Sequence, residues 1–573
     1  MTPPGVGAED EFAALRSEFF PRYLTTQPEE ATTLGLHHLD DRLKDCSPDA
    51  LDAELALHRE VTARLDRLRP EDLSADAALD RACLLALSRF HVHSHEDLGA
   101  HLRNVELSVY PHSMLQYQIA QAVTPGDWDR IGRRTERIPA FLRQQEDNLA
   151  RGVAARRAPD RTLLHHVIQD HFPGILGSFE RLASLPREQG VALSDAAHAR
   201  LSDAARAARE ALAAHAELLR REVLPAAGDS FALGEDEYRW RLEHTFGISA
   251  SPAELAAEAE AILADVQAEV VRLAARVAAA RPGAPARVST LADARAVVLT
   301  LEAVHPARDA DVIPLYRALV DRATHFIQEQ RLFRVPEGFD LGLIPPPPTL
   351  AEAGATNWPA PLLDPKKRGH FLVSPVAAMH SIPRAANLAV HEGIPGHYLQ
   401  SLAWQRAFYN NHTPVRFLLV ADDVAMARNY YAPMLNIEGF AVYAEELMRQ
   451  HGFYSDEEAL FALVAHLVRA ARVVVDIGLH TGRMTPDQAA RTLAEGACLT
   501  YAVAQKETLR YMRIPMQAIT YLIGRLEIER LKADEQRELG SAFDEADFHE
   551  KLFSFGPVPP GLIRGLSCPV AGA

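Results

Sequence analysis

Residues 391–400 read HEGIPGHYLQ, and the chain is organised around this stretch because nothing else in the sequence places two histidines and a glutamate so close together. In the familiar His-Glu-x-x-His motif, two histidines four residues apart on a helix bind Zn²⁺ and the adjacent glutamate acts as the general base. Here His391 and Glu392 are followed by His397, two residues later than that motif requires. The stretch is typical of a hydrolytic zinc site with altered spacing.

The altered spacing has a geometric consequence. A four-residue step on a helix rotates by about 400°, whereas six residues rotate by about 600° and leave the two side chains about 120° apart. Gly393, Pro395 and Gly396 disfavour a regular helix, because proline clashes with the carbonyl four residues before it and glycine permits unusual dihedral angles. We therefore expect a bulge that absorbs two residues and makes ligands of His391 and His397. The alternative is that the two histidines flank a helix break and bind nothing.

The same stretch resembles a known family. The segments HE (391–392) and PGH (395–397), together with Gln400, are similar to the signature of a large bacterial family of unknown-function proteins. The helical fold of that family resembles the gluzincin metallopeptidases, which include the angiotensin-converting-enzyme, thimet-oligopeptidase and thermostable-carboxypeptidase groups. The resemblance covers nearly the whole chain, from residues 28–32 to residues 548–549. It implies a mostly α, large two-lobed metallopeptidase-like fold with a deep central cleft and a very small β-sheet near the metal site.

The resemblance also implies a third zinc ligand on a later helix. Glu438 and Glu445 lie seven residues apart in NIEGFAVYAEE, residues 436–446, and therefore share one otherwise apolar helix face. A carboxylate on a buried face needs a partner, and zinc is one. Because the Glu-Gly-x-Ala-x-Tyr pattern resembles the family's own motif, we predict Glu438 as the ligand and Glu445 as an acceptor for a histidine N–H. The alternative is that Glu438 only occupies a first helical turn, where acids are favoured.

One short strand is predicted just before the zinc helix. The segment HFLVS, residues 370–374, is the best short strand in the sequence. In the metallopeptidases that it resembles, such a strand pairs with the substrate backbone, which implies that Phe371 and Val373 bind substrate. The alternative is a strand in a small structural sheet.

The resemblance further implies an oxyanion-stabilising tyrosine. Arg510 and Tyr511 resemble an Arg-Tyr pair of the angiotensin-converting-enzyme group, in which the tyrosine stabilises the oxyanion. Tyr501 stands where those relatives have a helping histidine, and it can still donate a hydrogen bond to a substrate. The alternative is that Tyr511 packs in the core with its hydroxyl satisfied.

A polar ridge lies on the helix between these two segments. Arg472, Asp476 and His480 follow one another at four-residue steps on an otherwise apolar helix. We predict that Asp476 and His480 orient ligands and that Arg472 could bind a substrate carboxylate. A structural ion-pair ridge is the alternative.

Composition favours helix throughout the chain. With 573 residues and 48% hydrophobic content, the chain can bury a large core. It is rich in Ala, Leu, Arg and Glu, which are strong helix formers. Apolar residues recur at helical spacing in segments separated by Pro or Gly, namely 9–36, 51–68, 77–90, 138–151, 161–185, 194–224, 253–280, 313–330 and 516–539. We expect a helical scaffold lobe over 1–247 that roofs the cleft and a catalytic lobe over 248–573, with one continuous domain as the alternative.

Charge and cysteine usage exclude several protein classes. The 77 acidic and 60 basic residues give a net charge of −17, which argues against a nucleic-acid partner. The first ten residues lack a basic region followed by an apolar run, and no apolar stretch approaches membrane-spanning length. We therefore expect a cytoplasmic protein with no membrane association. The four cysteines are scattered singly, so neither a disulfide framework nor a thiolate metal site is indicated.

These observations predict a zinc-dependent hydrolase that cleaves peptide bonds in short peptides, in the manner of a carboxypeptidase or an oligopeptidase. Glu392 would accept the proton of the attacking water, and Tyr511 would stabilise the oxyanion. Two alternatives stay open: a metal-dependent hydrolase of a specialised small-molecule amide, and a non-catalytic helical binding protein with a degenerate metal site. The sequence does not indicate an oligomeric state.

Overall fold

The structure is a computed structural model that describes residues 7–281, 287–336, 341–346 and 354–567. The chain divides into two compact units. Unit 1 is Met1–Phe231 with Asn411–Tyr430, and unit 2 is Ala232–Asn410 with Tyr431–Ala573. Unit 1 thus takes a second segment from later in the chain, which no sequence pattern indicated, and the division lies before the expected position at residue 247.

The described residues form α-helices and three short strands. The strands are β1 Gly342–Ile344, β2 Ala355–Trp358 and β3 His370–Val373. In chain order the helices are α1 Ala8–Thr26, α2 Pro28–Leu34, α3 Pro48–Leu65, α4 Ala75–Glu96, α5 Tyr110–Gln121, α6 Pro125–Thr135, α7 Ile138–Ala154, α8 Arg161–His166, α9 Phe172–Arg181, α10 Leu185–Glu188, α11 Asp195–Leu218, α12 Glu235–Arg241, α13 Pro252–Ala279, α14 Leu291–Glu302, α15 Val312–Glu329, α16 Ile382–Leu388, α17 His397–Phe408, α18 Asp422–Arg428, α19 Met434–Gln450, α20 Asp456–His480, α21 Pro486–Gly496, α22 Tyr501–Arg513, α23 Thr520–Leu539, α24 Glu545–Ser554 and α25 Pro560–Ser567. Helical residues, with short 3-10 and π-helical turns included, make up 72% of the described residues, so the predicted mostly α fold with a very small sheet is confirmed.

Helix starts follow the capping chemistry of the sequence. The Ser194 side chain accepts a hydrogen bond from the Ala197 N–H at the start of α11. Ser251 forms a capping box with Glu254 at the start of α13, where Pro252 is the first helical residue. Serine suits both starts, because its side-chain oxygen satisfies an N–H group that has no partner inside the helix.

Unit 1 consists of α1–α11 and α18, and its later segment is held by hydrogen bonds to acidic side chains. The Arg416 Nε donates to Asp80 Oδ1 at 2.6 Å, and its Nη2 donates to Asp76 Oδ1 at 2.7 Å. The Leu419 N–H donates to Glu30 Oε1 at 2.9 Å. Residues 411–430 are therefore fixed to α2 and α4 by charge-assisted hydrogen bonds.

Unit 2 contains the remaining helices and the sheet. The sheet order is β1-β3-β2, with β3 parallel to β1 and antiparallel to β2. Phe371 and Val373 of β3 are fully buried in a core that also includes Val390 and Phe440. The small sheet is therefore a core element, and its central strand is β3.

A pair of glycines sets the contact between α19 and α23. A Cβ atom added to Gly439 would lie 2.4 Å from the backbone carbon of Gly524, so only glycine fits at this crossing. The close approach brings Glu438, next to Gly439, and Tyr521, one turn before Gly524, into the same region of unit 2. Among the described residues, no helix is both long enough and apolar enough to cross a membrane.

Candidate metal centre

The helix that carries His391 ends in a wide turn and a break. Residues Ala389–Gly393 form a π-helical turn, and Ile394 then adopts an extended conformation. The Gly396 N–H donates to the Val390 carbonyl at 2.9 Å. A Cβ atom on Gly396 would lie 1.9 Å from the His391 carbonyl oxygen, so this return of the chain requires glycine. The two extra residues are thus absorbed before α17 begins at His397.

The break brings three candidate ligands together. His391 Nε2 lies 3.5 Å and His397 Nε2 lies 3.4 Å from Glu438 Oε2. The three ligand atoms all lie within 4.8 Å of one another, and the two imidazole planes are nearly perpendicular, at 80°. Ligand atoms about 2.0–2.2 Å from a tetrahedral zinc ion are about 3.3–3.5 Å apart. The two distances to Glu438 match that separation.

Burial of this group makes a positive charge beside the carboxylate favourable. His391, His397 and Glu438 are all buried. Among the described residues, Glu438 Oε2 and His397 Nδ1 have no hydrogen-bond partner. An ionised carboxylate oxygen can only accept, so its burial without a donor is costly unless a positive charge lies beside it. The residues present therefore fit a metal ion with two nitrogen ligands and one oxygen ligand.

The electrostatics of the group also favour positive charge. Burial acts to lower the pKa of His391, but the neighbouring carboxylates of Glu438 and Glu445 outweigh it and raise that pKa to about 10. Burial likewise acts to raise the pKa of Glu438, but the neighbouring imidazoles of His391 and His397 hold it well below its usual range. The carboxylates thus stabilise a positive charge at the position that a divalent cation would occupy.

A second layer of residues orients His391. Its Nδ1 lies 2.6 Å from Glu445 Oε1, and the same oxygen accepts a hydrogen bond from Arg469 Nη2 at 2.7 Å. A carboxylate in this position holds the proton on Nδ1 and leaves the Nε2 lone pair for a metal. The sequence placed Glu445 in this role, whereas it did not indicate Arg469 of α20.

Glu392 points to the sheet and not to the other acids. Its Oε2 accepts a hydrogen bond from the Asn357 N–H of β2 at 2.9 Å. Asn357 lies opposite Phe371 in the antiparallel pair. Because the Asn357 N–H donates to Glu392 and not to β3, it points to the outer edge of β2. This outer edge therefore runs beside Glu392.

The expected substrate contacts of Phe371 and Val373 need correction. Both side chains are fully buried, and β3 is hydrogen-bonded to β1 on one side and to β2 on the other. A central strand has no free edge on which a substrate backbone could pair. Within the described residues β2 is the edge strand that lies beside Glu392.

The predicted oxyanion tyrosine is held by a charged cluster. Tyr511 is fully buried, its hydroxyl donates to Glu507, and the same hydroxyl accepts from Arg472 Nε at 2.8 Å. Arg510 donates to the same carboxylate at 3.0 Å. Tyr501 lies elsewhere on the surface, where its hydroxyl donates to Asp487 at 2.8 Å. None of these hydrogen bonds reaches the three candidate ligands.

Asp476 and His480 form hydrogen bonds in the core of unit 2. Asp476 is fully buried and accepts hydrogen bonds from the Tyr238 hydroxyl at 2.7 Å and the Met516 N–H at 3.1 Å. His480 Nε2 lies 3.0 Å from the Tyr511 carbonyl, to which it donates. The hydrogen bonds of Asp476 and His480 therefore lie outside the group of three ligands.

Tyr521 is the tyrosine beside the ligands, and sequence reasoning missed it. Its ring is nearly parallel to that of His391, with centroids 6.5 Å apart, and Arg472 lies 4.8 Å from its ring centre. Burial is the largest cause that raises its pKa, and the charge of Glu438 adds to the rise. No motif marks Tyr521; only the glycine contact between α19 and α23 places it here.

Comparison with known proteins shows the family and the fold. The family described as "Bacterial protein of unknown function (DUF885)" matches residues 28–566. No curated protein matches the chain. A protein of unknown function from Shewanella oneidensis, provisionally named a lipoprotein, is 20% identical, with a TM-score of 0.76 over 97% of this chain and 99% of its own. A provisionally named lipoprotein from Colwellia psychrerythraea is 18% identical, with a TM-score of 0.81 over 98% of this chain and 99% of its own.

Proposed function

The chain belongs to this bacterial family of unknown function, and from its own site we propose that it is a zinc-dependent hydrolase that cleaves peptide or amide bonds. One observation carries the proposal: Glu438 Oε2 is buried without a hydrogen-bond donor and lies at ligand spacing from both His391 Nε2 and His397 Nε2. Two imidazoles and one carboxylate form a ligand set found in gluzincin-type hydrolases, which keep one position open for water. The resemblance to gluzincin metallopeptidases belongs to this proposal.

The residues around the ligands divide the chemistry between them. Zn²⁺ held by the three ligands supplies Lewis acidity and brings the pKa of a bound water to about 7. Glu392 would accept the proton of the attacking water and deliver it to the leaving amine. Glu445 keeps the Nε2 lone pair of His391 available by holding the proton on Nδ1.

The edge of β2 favours a peptide over a small amide. Because the Asn357 N–H points away from β3 to Glu392, the Asn357 carbonyl and the backbone groups of Ala355 face the same outer edge of β2. An extended peptide can pair with such an edge, and its scissile bond would then lie beside Glu392. Short flexible peptides lose little structure on binding in this way, so they are the preferred substrates. The deep cleft and the cytoplasmic location expected from the sequence stay predictions.

The hydrogen bonds of the two tyrosines favour Tyr521 as the oxyanion donor, whereas the sequence favoured Tyr511. The Tyr521 hydroxyl accepts from Gln517 Nε2 at 3.3 Å, which leaves its own proton for a substrate oxygen. The Tyr511 proton is already donated to Glu507. Comparing kcat of Tyr521→Phe with that of Tyr511→Phe decides between the two residues.

The test of the proposal is the Glu392→Gln variant. Purified protein should contain about one zinc ion per chain and should hydrolyse members of a short-peptide library. Glu392→Gln should keep the zinc and the fold but lose hydrolysis, because an amide cannot accept the water proton. Zinc content by elemental analysis and product formation by mass spectrometry provide the two readouts. Zinc without hydrolysis of any peptide or amide would support a binding protein, and unchanged turnover in Glu392→Gln would remove Glu392 from the mechanism.

A further inference from the structure

A second polar site lies in unit 1. A cavity of about 70 Å³ is lined by Lys44, Glu54, His58, His91, Gln145 and Arg428, among other residues. These residues come from the loop before α3, from α3, α4 and α7, and from the end of α18. All of them belong to unit 1, so the cavity is a feature of that unit alone.

The polar atoms without partners at this cavity include clear hydrogen-bond donors. Among the described residues, Arg428 Nε and Gln145 Nε2 are buried and have no hydrogen-bond partner. The Nε2 atoms of His58 and His91 are also buried and have no hydrogen-bond partner. Gln145 is 1% exposed and His58 is fully buried, so water at the protein surface does not satisfy them. A ligand that accepts hydrogen bonds would satisfy all four residues.

Arg428 keeps an unsatisfied donor, its Nε, although the charge of Glu54 favours its cationic form and raises its pKa. Its Nη2 donates to Gln27 Oε1, and its guanidinium lies 5.9 Å from the Tyr110 ring centre. No carboxylate among the described residues forms an ion pair with it. Glu54 is the nearby acid at the cavity, but its two oxygens already accept from Lys44 Nζ and Gln27 Nε2. A buried N–H donor without an acceptor is unfavourable, and a ligand oxygen in the cavity would accept from it.

The same residues are poorly arranged for a metal ion. Ligand atoms of Glu54, His58 and His91 lie within 4.8 Å of one another. However, the His58 and His91 rings are stacked, with centroids 4.1 Å apart and planes within 5°. Lone pairs that lie in two parallel ring planes do not converge on one ion. The ammonium of Lys44 also occupies a Glu54 oxygen and would repel a divalent cation.

We propose that the cavity binds a small oxyanion, either a carboxylate or a phosphate group, held by Arg428 and Gln145 with His58 and His91 as further donors. Arginine pairs with both groups through directed hydrogen bonds. At about 10–15 Å³ per water-sized group, the cavity has room for about five non-hydrogen atoms. Phosphate has that size and acetate is slightly smaller. Burial lowers the pKa of His58 to about 4, so its imidazole is neutral and can donate one N–H.

Thermal unfolding of the full chain tests this site. Tm is measured in phosphate, sulfate, acetate and chloride at equal ionic strength, and Kd is measured by calorimetry. We expect phosphate or acetate to raise Tm relative to chloride, because a ligand that binds only the folded state stabilises it. A larger effect of phosphate assigns a phosphate group, and a larger effect of acetate assigns a carboxylate.

Two variants and two controls make the test specific. Gln145→Glu keeps the shape of the side chain but places a carboxylate in the cavity, so it should weaken anion binding at least tenfold and raise Tm in chloride. Arg428→Gln should also abolish the response to the anion. Gln189→Glu makes the same chemical change on the exposed surface and should respond like the unmodified chain. His391→Ala, which disables the zinc centre, should keep the full response.

Three results would overturn the proposal. The first is an unmodified chain whose Tm and calorimetry show no difference between the four anions. The second is a Gln145→Glu variant that binds anion as tightly as the unmodified chain. The third is a zinc ion that stays bound in His391→Ala and is lost in His91→Ala, which would make this cluster a metal site.

Discussion

At the scale of single residues, Glu438 is the group on which the proposed metal centre depends. Its Oε2 lies between two imidazole nitrogens and has no hydrogen-bond donor among the described residues. A buried acceptor without a partner costs about 1–3 kcal/mol, and more when it is charged. A bound zinc ion removes that cost and neutralises the carboxylate. Metal binding would therefore explain why an acid lies on an apolar face of α19, which helix propensity does not explain.

Glu445 should control zinc affinity without binding the metal itself. Its Oε1 lies 2.6 Å from His391 Nδ1 and 2.7 Å from Arg469 Nη2. Glu445→Gln removes the negative charge that holds the proton on Nδ1 and leaves Arg469 without its partner. We expect zinc affinity to fall about 10- to 100-fold, with one site still filled at high zinc concentration. Competition with a chromogenic chelator measures this affinity.

The neighbouring acid provides the control for this prediction. Glu446 is also a buried residue of α19, but its oxygens accept from Arg449 at 2.8 Å and Gln450 at 2.9 Å. Glu446→Gln should therefore leave zinc affinity unchanged. Equal losses in the two variants would mean that Glu445 acts only through the general stability of α19.

The candidate ligands could be identified from the sequence because each one carries a local signal. His391 and His397 flank a Gly-Pro-Gly break, and Glu438 begins a Glu-Gly-x-Ala-x-Tyr pattern. Tyr521 carries no such signal, because its place beside His391 arises from contact between two helices that are distant in sequence. The Arg510–Tyr511 pair does match a family pattern, but the pattern does not reveal that Glu507 accepts the hydrogen bond of the Tyr511 hydroxyl.

At the scale of elements, glycines decide how the site is built. Gly396 lets the chain return to within hydrogen-bonding distance of the turn before it, and Gly439 lets α19 and α23 touch. Each glycine is adjacent to a candidate ligand, His397 or Glu438. The sheet shows the limit of sequence reasoning at this scale. The strand at 370–373 was predictable from its composition, but its central position was not, because strand order depends on which distant segments pair.

Gly439→Ala should disturb both stability and zinc binding. The added methyl group would lie 2.4 Å from the Gly524 backbone carbon and 2.6 Å from its Cα, so α19 and α23 must separate. Overpacking of this kind costs about 1–3 kcal/mol. Because Glu438 moves with α19 and Tyr521 moves with α23, zinc affinity should fall as well. Urea unfolding and zinc titration measure the two effects.

A helical glycine with open space around it is the matched control. Gly177 in α9 has no atom within 4 Å of an added Cβ. Gly177→Ala should keep zinc affinity and should gain up to about 1 kcal/mol of stability from helix propensity. If Gly439→Ala behaved like Gly177→Ala, the close packing of the two helices would not be what positions Glu438.

At the scale of the whole molecule, the protein combines a strongly acidic surface with buried polar groups in both units. The net charge is −17, yet the cavity of unit 1 is lined by Lys44 and Arg428 as well as Glu54, and the candidate metal centre of unit 2 brings Glu438 together with His391 and His397. Interior charges of this kind make stability depend on pH, because their protonation differs between the folded and unfolded chains. Asp476 is the clearest case in unit 2.

Asp476 joins parts of unit 2 that are distant in the chain. Its two oxygens accept from Tyr238 of α12 and from the Met516 N–H before α23. Burial outweighs these hydrogen bonds and raises the pKa of Asp476 to about 7. Between about pH 4 and pH 7 the folded chain therefore holds a proton that the unfolded chain releases. The free energy of unfolding should fall as the pH rises through this range.

Asp476→Asn should remove the part of this pH dependence that corresponds to about one bound proton. At pH 8 the variant should also be more stable than the unmodified chain, by a few kcal/mol at most. The reason is that an amide needs no proton to remain neutral in the core. Urea unfolding across the pH range gives the slope for each protein. Asp487→Asn is the control. Asp487 is exposed, and its hydrogen bond from Arg491 lowers its pKa, so ionisation of Asp487 does not reduce stability at neutral pH. A slope that Asp476→Asn leaves unchanged would show that Asp476 stays ionised in the folded chain, with its charge balanced by its donors and by Arg510.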